Sequence, residues 1–233
     1  MNLLLMSSSR TANSGFLEAN AGQIAETLAG VRRALFIPYA VVGETRRAGM
    51  EFVGERFKDL GIGIDNIDNV KDPVRAVRDA AAVLVSGGNT FCLLKTLYDN
   101  GLVDVLRERV RRGIPYIGWS AGSNIAGRSI RTTNDMPIVY PPSFRALDFL
   151  PFQINPHFTD VMPEGLRGET REQRIEEFLA VNTEETVIGL PEGDALRVTG
   201  DRMHLVGDHD AWLFRAGETR RRLAAGRDLS HLL

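Results

Sequence analysis

Residues 114–122 read Ile-Pro-Tyr-Ile-Gly-Trp-Ser-Ala-Gly. The apolar run Ile114–Trp119 predicts a buried strand, and Ala121–Gly127 predicts the start of a helix. Between them lies Gly118-Trp119-Ser120-Ala121-Gly122, a G-x-S-x-G pattern at a strand-to-helix turn. Such a turn lifts a serine hydroxyl out of the backbone, and its glycines relieve crowding where strand and helix meet. The alternative reading is a small-residue turn that only packs helix on strand.

Working outward, short apolar runs alternate with longer amphipathic stretches. Leu3–Met6, Ala34–Tyr39, Ile62–Ile67, Ala82–Ser86 and Ile188–Leu190 predict strands. Residues 16–28, Thr45–Leu60, Thr90–Asn100 and Leu102–Arg112 predict helices, and Asp72-Pro73 opens another through Ala82. The alternation of residues 202–214 predicts an antiparallel hairpin at an edge. Strands that are continuously apolar and separated by helices indicate a mostly parallel sheet covered on both faces. No repeat or linker divides the chain, so a single doubly wound α/β domain over residues 1–233 is expected, with loops around a site between Arg128 and Pro163.

The chain has 233 residues, 28 Lys plus Arg and 30 Asp plus Glu, for a formal net charge of −2. No basic excess is available to neutralise phosphates, which disfavours nucleic acid as a partner. The 43% hydrophobic and 25% charged fractions are those of an ordinary globular protein. The single cysteine, Cys92, excludes an internal disulfide framework, and no Cys/His spacing resembles a zinc site. Apolar runs fall far short of the ~20 residues of a membrane span. Leu3–Met6 is too short for a signal-peptide core, so a cytoplasmic protein is expected.

Ligands of open parallel sheets bind at the carboxyl ends of strands. Past the Ile114–Trp119 strand sits Ser120, whose chemistry as a nucleophile requires a base. Of the four histidines, His157 follows Phe152–Pro156, an apolar run that breaks at Asn-Pro. It is the candidate base, a surface loop histidine being the alternative. Glu192, in Gly-Leu-Pro-Glu-Gly at 189–193, ends another buried strand and is the candidate third member, with Asp194 as its rival. Gly87-Gly88-Asn89-Thr90 follows the Ala82–Ser86 strand. The Gly88 amide, with that of Ala121, is the candidate oxyanion donor pair. No G-x-x-x-x-G-K-[ST] or G-x-G-x-x-G is present, which disfavours nucleotide binding. Cys92 reads as a small core residue, or as a nucleophile only if exposed with a depressed pKa.

Longer blocks carry a resemblance. Gly-Gly-Asn-Thr-Phe at 87–91, Tyr-Ile-Gly-Trp-Ser-Ala-Gly at 116–122, Ile-Arg-Thr-Thr-Asn-Asp-Met-Pro-Ile-Val at 130–139, Gln-Ile-Asn-Pro-His-Phe-Thr at 153–159, Gly-Glu-Thr-Arg-Glu-Gln-Arg-Ile at 168–175 and Gly-Leu-Pro-Glu-Gly at 189–193 resemble the peptidase E, or alpha-aspartyl dipeptidase, family. The likeness weakens after about Gly200. It implies a class I glutamine amidotransferase-like fold; the amidotransferases carry Cys at the elbow, and cyanophycinase keeps Ser. It also implies a serine exopeptidase that cleaves dipeptides with an N-terminal L-aspartate, with its Ser-His-Glu triad on Ser120, His157 and Glu192. This order differs from the Ser, acid, His order of α/β-hydrolases.

An aspartyl side chain calls for a guanidinium, with Arg131, Arg171 and Arg174 as candidates and Arg171 preferred for its place in the 168–175 block. A free N-terminus calls for an anion, for which Asp135 is the candidate, an Asx turn being the alternative. Asn89 is a further candidate substrate contact. The expected partner is a small peptide with N-terminal Asp, without metal, organic cofactor, nucleic acid or membrane, and the chain acts as a monomer or a homodimer. The alternatives are a related serine enzyme acting on beta-aspartyl or cyanophycin-type substrates, and a non-catalytic small-molecule binding module.

Overall fold

The computed structural model describes every residue except Glu44 and residues 162–167, with the side chains of residues 45–50 also left aside. Met162 and Pro163, the end of the expected loop segment, thus lie outside the described residues.

In chain order the elements are β1 (Asn2–Met6), α1 (Ala21–Thr27), β2 (Arg33–Ile37), α2 (Thr45–Asp59), β3 (Gly63–Asn66), α3 (Pro73–Asp79), β4 (Val83–Val85), α4 (Thr90–Asp99), α5 (Leu102–Arg111), β5 (Tyr116–Trp119), α6 (Ala121–Asn124), β6 (Gln153–Pro156), α7 (Arg171–Val181), β7 (Thr186–Leu190), β8 (Ala195–Thr199), β9 (Arg202–Val206), β10 (Ala211–Arg215) and β11 (Arg221–Leu223). The larger sheet has the order β3-β2-β4-β5-β1-β8-β9. It is parallel from β3 to β1, then antiparallel through β8 and β9. The second sheet, β11-β10-β7-β6, pairs β7 with β6 in parallel and is otherwise antiparallel.

The apolar runs have a physical reason. Side chains alternate between the two faces of a strand, so a sheet covered on one face needs apolar residues only at every second position. In β1, Leu3 and Leu5 enter the larger core cluster, whereas Leu4 and Met6 enter the core on the opposite face, and all four are fully buried. Val83 and Val85 divide from Leu84 in the same way. At ~1.5–3 kcal/mol per fully buried large apolar side chain, these central strands hold the sheet. A third cluster, Phe158, Ile175, Leu179, Val187 and Phe214, joins α7 to the second sheet.

Three expected elements differ. Of residues 16–28, only Ala21–Thr27 is helical. Leu17 has φ 54°, and Asn20 donates its side-chain amide to the Gly193 carbonyl (3.0 Å) instead of capping the helix. The helix begun at Pro73 is N-capped by Asp72 but stops at Asp79, before the strand that Ala82 joins. Residues 202–214 form no hairpin with each other. β9 folds back on β8, and β10 crosses to β7 in the second sheet. The redirecting turn is held by Asp194, whose carboxylate accepts the N–H groups of Asp208 and His209 (each 3.2 Å).

Candidate active site

The carboxyl ends of β1, β4, β5, β6 and β7 supply the site. At the β5–α6 turn, Ser120 has φ 52° and ψ −111°, a conformation non-glycine residues rarely adopt. Main-chain bonds hold it there. Its N–H donates to the Met6 carbonyl (3.0 Å), and its carbonyl accepts from the N–H groups of Ser123 and Asn124 (both 2.9 Å). Both glycines of the motif are required by contact. A Cβ on Gly118 would lie 2.3 Å from the Gly122 carbonyl oxygen, and one on Gly122 would lie 2.3 Å from that of Val85.

Ser120 Oγ lies 2.8 Å from His157 Nε2, and His157 Nδ1 lies 2.9 Å from Glu192 Oε1. An ionised carboxylate only accepts, so Nδ1 carries the proton donated to Glu192 and Nε2 faces the serine hydroxyl as acceptor. A hydroxyl, an imidazole and a carboxylate in this series make serine a nucleophile. His157 also has a positive φ, 56°. Strain at two of three members of one series is characteristic of sites whose surroundings over-determine them.

Serines that the sequence analysis did not single out do much of the fastening. Buried Ser7 accepts from the His157 N–H (2.8 Å) and donates to the Leu190 carbonyl (2.7 Å), joining the end of β1 to the two strand ends that carry His157 and Glu192. Ser8 accepts from the Gly193 N–H (3.2 Å). Ser123 donates to Met6 and Gly118 carbonyls (2.7 and 2.9 Å), locking the elbow onto β1. For Ser7 and Ser8 the available signal was the run Ser7-Ser8-Ser9 directly after a buried strand, though nothing local shows which partner each takes.

Asp194, the rival acid, is buried and turned away. It accepts from His209 Nδ1 (3.1 Å) and from the N–H groups described above. Burial pushes its carboxyl pKa up against those hydrogen bonds. Cys92 sits one turn into α4 as the residue whose N–H the Asn89 side chain caps. Burial first, and then the Asp135 carboxylate, push its thiol up, away from thiolate chemistry.

The N–H groups of Gly88 and Ala121 donate to no other described residue. Gly88 has φ 133°, and a Cβ there would lie 2.3 Å from the Ala40 carbonyl oxygen, so only glycine fits. A Cβ on Gly87 would lie 3.0 Å from Ser120 Cβ, which puts this turn beside the elbow. Because α6 is four residues long, its macrodipole adds little, and the individual N–H groups carry any oxyanion stabilisation.

The expected substrate contacts separate clearly. Asp135 Oδ2 accepts from Thr90 N–H (2.7 Å), Thr90 Oγ1 (2.6 Å) and Thr133 Oγ1 (3.1 Å), while Oδ1 accepts from no described residue. Asp135 lines a small polar pocket of about 50 Å³ that also reaches Ser120 and His157. Arg131 is engaged elsewhere, with Glu185 (2.8 Å), Asn182 and the Phe178 ring. Arg174 is exposed and lies 3.8 Å from Glu169. Arg171 alone of the three has no ion pair or hydrogen bond to the described residues. Its pKa is lowered by burial and by Arg174, against the pull of the Glu192 and Asp135 carboxylates. Asn89 uses both ends of its amide within the fold, capping α4 through Oδ1 (3.0 Å) and donating to the Met136 carbonyl (2.9 Å). It thereby ties the Gly87-Gly88 turn to the loop bearing Asp135. No group of three His, Cys, Asp or Glu suited to a metal occurs among the described residues, nor is any described helix long and apolar enough to cross a membrane.

Comparison with known proteins gives the family. The model of Peptidase family S51 matches residues 3–206. The chain belongs to peptidase family S51. Peptidase E of Shewanella amazonensis is 49% identical over 230 residues, spanning 99% of this chain and 98% of that protein. Peptidase E of Salmonella typhimurium is 49% identical over 226 residues, spanning 97% and 99%. Among solved structures, a peptidase from an acI-B1 actinobacterium superposes with a TM-score of 0.72 at 22% identity, covering 98% of this chain and 96% of that one. A Listeria monocytogenes EGD-e protein gives 0.62 at 21% identity over 88% and 98%. The fold of this S51 peptidase is thus the mostly parallel α/β arrangement with an antiparallel edge that the sequence led us to expect, consistent with the class I glutamine amidotransferase-like fold that the resemblance implied.

Proposed function

We propose that this S51 peptidase is a serine dipeptidase that releases N-terminal L-aspartate from dipeptides, with Ser120, His157 and Glu192 as its triad. The observation that carries this reading is the continuous series Ser120–His157–Glu192, at 2.8 and 2.9 Å, together with Asp135, whose Oδ1 has no partner among the described residues, and Arg171, which has none there either and feels the Glu192 and Asp135 carboxylates. Its 49% identity with proteins named Peptidase E over nearly the whole chain supports the substrate class.

Ser120 Oγ attacks the carbonyl of the aspartyl residue as His157 Nε2 takes its proton. Glu192 holds the imidazole tautomer and stabilises the imidazolium. The N–H groups of Gly88 and Ala121 receive the oxyanion. His157 then returns the proton to the leaving amine as the C–N bond breaks, leaving an aspartyl ester on Ser120. Water, deprotonated by His157, attacks that ester, and aspartate and the Ser120 hydroxyl are regenerated. Asp135 Oδ1 takes the free α-ammonium, and Arg171 takes the side-chain carboxylate through charge-assisted bonds. All these residues come from one chain, so the chemistry needs no second copy. We assign it to the cytoplasm, where the free thiol of Cys92 is compatible with a reducing environment.

Comparing Asp-Leu with N-acetyl-Asp-Leu and Asn-Leu tests the two charge contacts. Each change lowers kcat/KM by about 100-fold, the scale of a lost charge-assisted contact that leaves its partner unpaired. Arg171→Met abolishes the advantage of Asp-Leu over Asn-Leu, and Asp135→Asn abolishes that over the acetylated peptide. Wild-type turnover of Asn-Leu equal to that of Asp-Leu contradicts the assignment.

A further inference from the structure

Ser120 lies between two unlike pockets. The small polar one holds Asp135. The other, which also reaches Ser120 and His157, is a cavity of about 390 Å³, walled by Phe16, Phe36, Pro38, Val53 and Trp119 and also lined by Ser86 and Arg10. Phe36 stacks on Trp119 (centroids 5.9 Å, planes 11° apart), and Phe16 meets the same indole edge-on at 6.0 Å. These walls are largely apolar, with three aromatic rings packed on one another.

Two polar groups in this cavity lack partners among the described residues. The Arg10 guanidinium forms no ion pair with any described residue. Its Cζ lies 5.7 and 5.5 Å from the ring centroids of Phe16 and Phe52, and its N–H groups donate to no described residue. Ser86 is 3% exposed, and its hydroxyl has no hydrogen bond. A buried hydroxyl without a protein partner is costly, and a ligand that supplies an acceptor relieves that cost.

The charges match the two halves of a dipeptide. The first residue of an aspartyl dipeptide carries an ammonium and a carboxylate, answered by Asp135 and Arg171. The second carries one carboxylate and a variable side chain, and the larger cavity offers one open guanidinium and apolar walls. We propose that this cavity is the subsite for the residue after the scissile bond, that it takes a bulky apolar side chain, and that Arg10 pairs with that residue's free C-terminal carboxylate. The inference rests on the reading of Ser120, Asp135 and Arg171 given above. It also explains a restriction to dipeptides, because a third residue replaces the carboxylate by a neutral amide and must extend past Arg10.

The test is kcat/KM for Asp-Phe, Asp-Ala, Asp-Phe-amide and Asp-p-nitroanilide, with wild type, Arg10→Met and Ser86→Ala. Wild type favours Asp-Phe over Asp-Ala by at least about 10-fold, and over its amide by about 10- to 100-fold, the range of a charge-assisted hydrogen bond. Arg10 is exposed, so Arg10→Met folds, and its acid-to-amide ratio falls to about 1 because the charge that distinguishes the two is gone. Ser86→Ala lowers kcat/KM for Asp-Phe by about 3- to 10-fold. The subsite is overturned if Arg10→Met keeps the wild-type ratio, or if wild type treats acid and amide alike. If wild type cleaves neither the peptides nor the anilide, which needs only the first-residue contacts, the aspartyl reading itself fails and the subsite falls with it.

Discussion

Ser120→Ala lowers kcat for Asp-Leu by about 10⁴- to 10⁶-fold and leaves the protein folded. The size follows from removing the nucleophile of a relay whose members act as a unit, so that only binding and oxyanion contacts remain. The fold survives because the bonds that fix residue 120 are main-chain ones, to Met6, Ser123 and Asn124. Alanine keeps the same backbone constraints as serine, so the strain at φ 52° is nearly unchanged. The unfolding midpoint therefore stays within about 4 °C of wild type. Kinetics with the purified variant, alongside a thermal melt, check both halves. Turnover near wild type removes Ser120 from the chemistry, whereas an unfolded variant assigns the hydroxyl a structural role.

Gly122→Ala has a comparably large effect on stability. The added methyl meets the Val85 carbonyl oxygen at 2.3 Å and the Val85 Cβ at 3.2 Å. Both atoms belong to β4, which is hydrogen-bonded between β2 and β5 and is buried on both faces. Neither can withdraw without breaking the sheet. The cost exceeds about 3 kcal/mol, a large share of the ~5–15 kcal/mol that stabilises an ordinary domain. Gly22→Ala provides the contrast. It lies within α1 with nothing within 4 Å of the added Cβ, and it raises stability by about 0.5–1 kcal/mol through helix propensity. Urea denaturation of the two variants measures the difference, and a Gly122→Ala protein as stable as wild type refutes the close elbow packing.

The legible parts of this fold were those whose signal is local. Leu3–Met6 and Ala82–Ser86 are continuously apolar because their sheet is covered on both faces, and that pattern requires no partner strand to be read. Ser120 and Glu192 follow such runs and His157 follows the mixed run Phe152–Pro156, so strand ends alone brought three residues of suitable chemistry to one edge. The second sheet was not legible. Its β10 looks like the natural hairpin partner of β9, but the turn between them is held by the distant Asp194 carboxylate and β10 pairs with β7 instead. Distant pairing also decided which arginine is open, since Arg131 is taken by Glu185, more than fifty positions away. The fastening roles of Ser7 and Ser8 depend on residues more than a hundred positions distant. Asn89 is different: an asparagine directly before an apolar helix is a cap signature, and the role it plays in α4 was available from the sequence.

Aspartate release from Asp-Leu, beta-Asp-Leu and Ala-Leu by the wild-type protein in the presence of EDTA, with Ser120→Ala in parallel, is the most direct test of a serine-centred alpha-aspartyl dipeptidase. The account predicts hydrolysis of Asp-Leu, little or none of the other two, and loss of the activity in the variant. Faster release from beta-Asp-Leu, equal cleavage of Ala-Leu, or Asp-Leu turnover that persists without the Ser120 hydroxyl contradicts it.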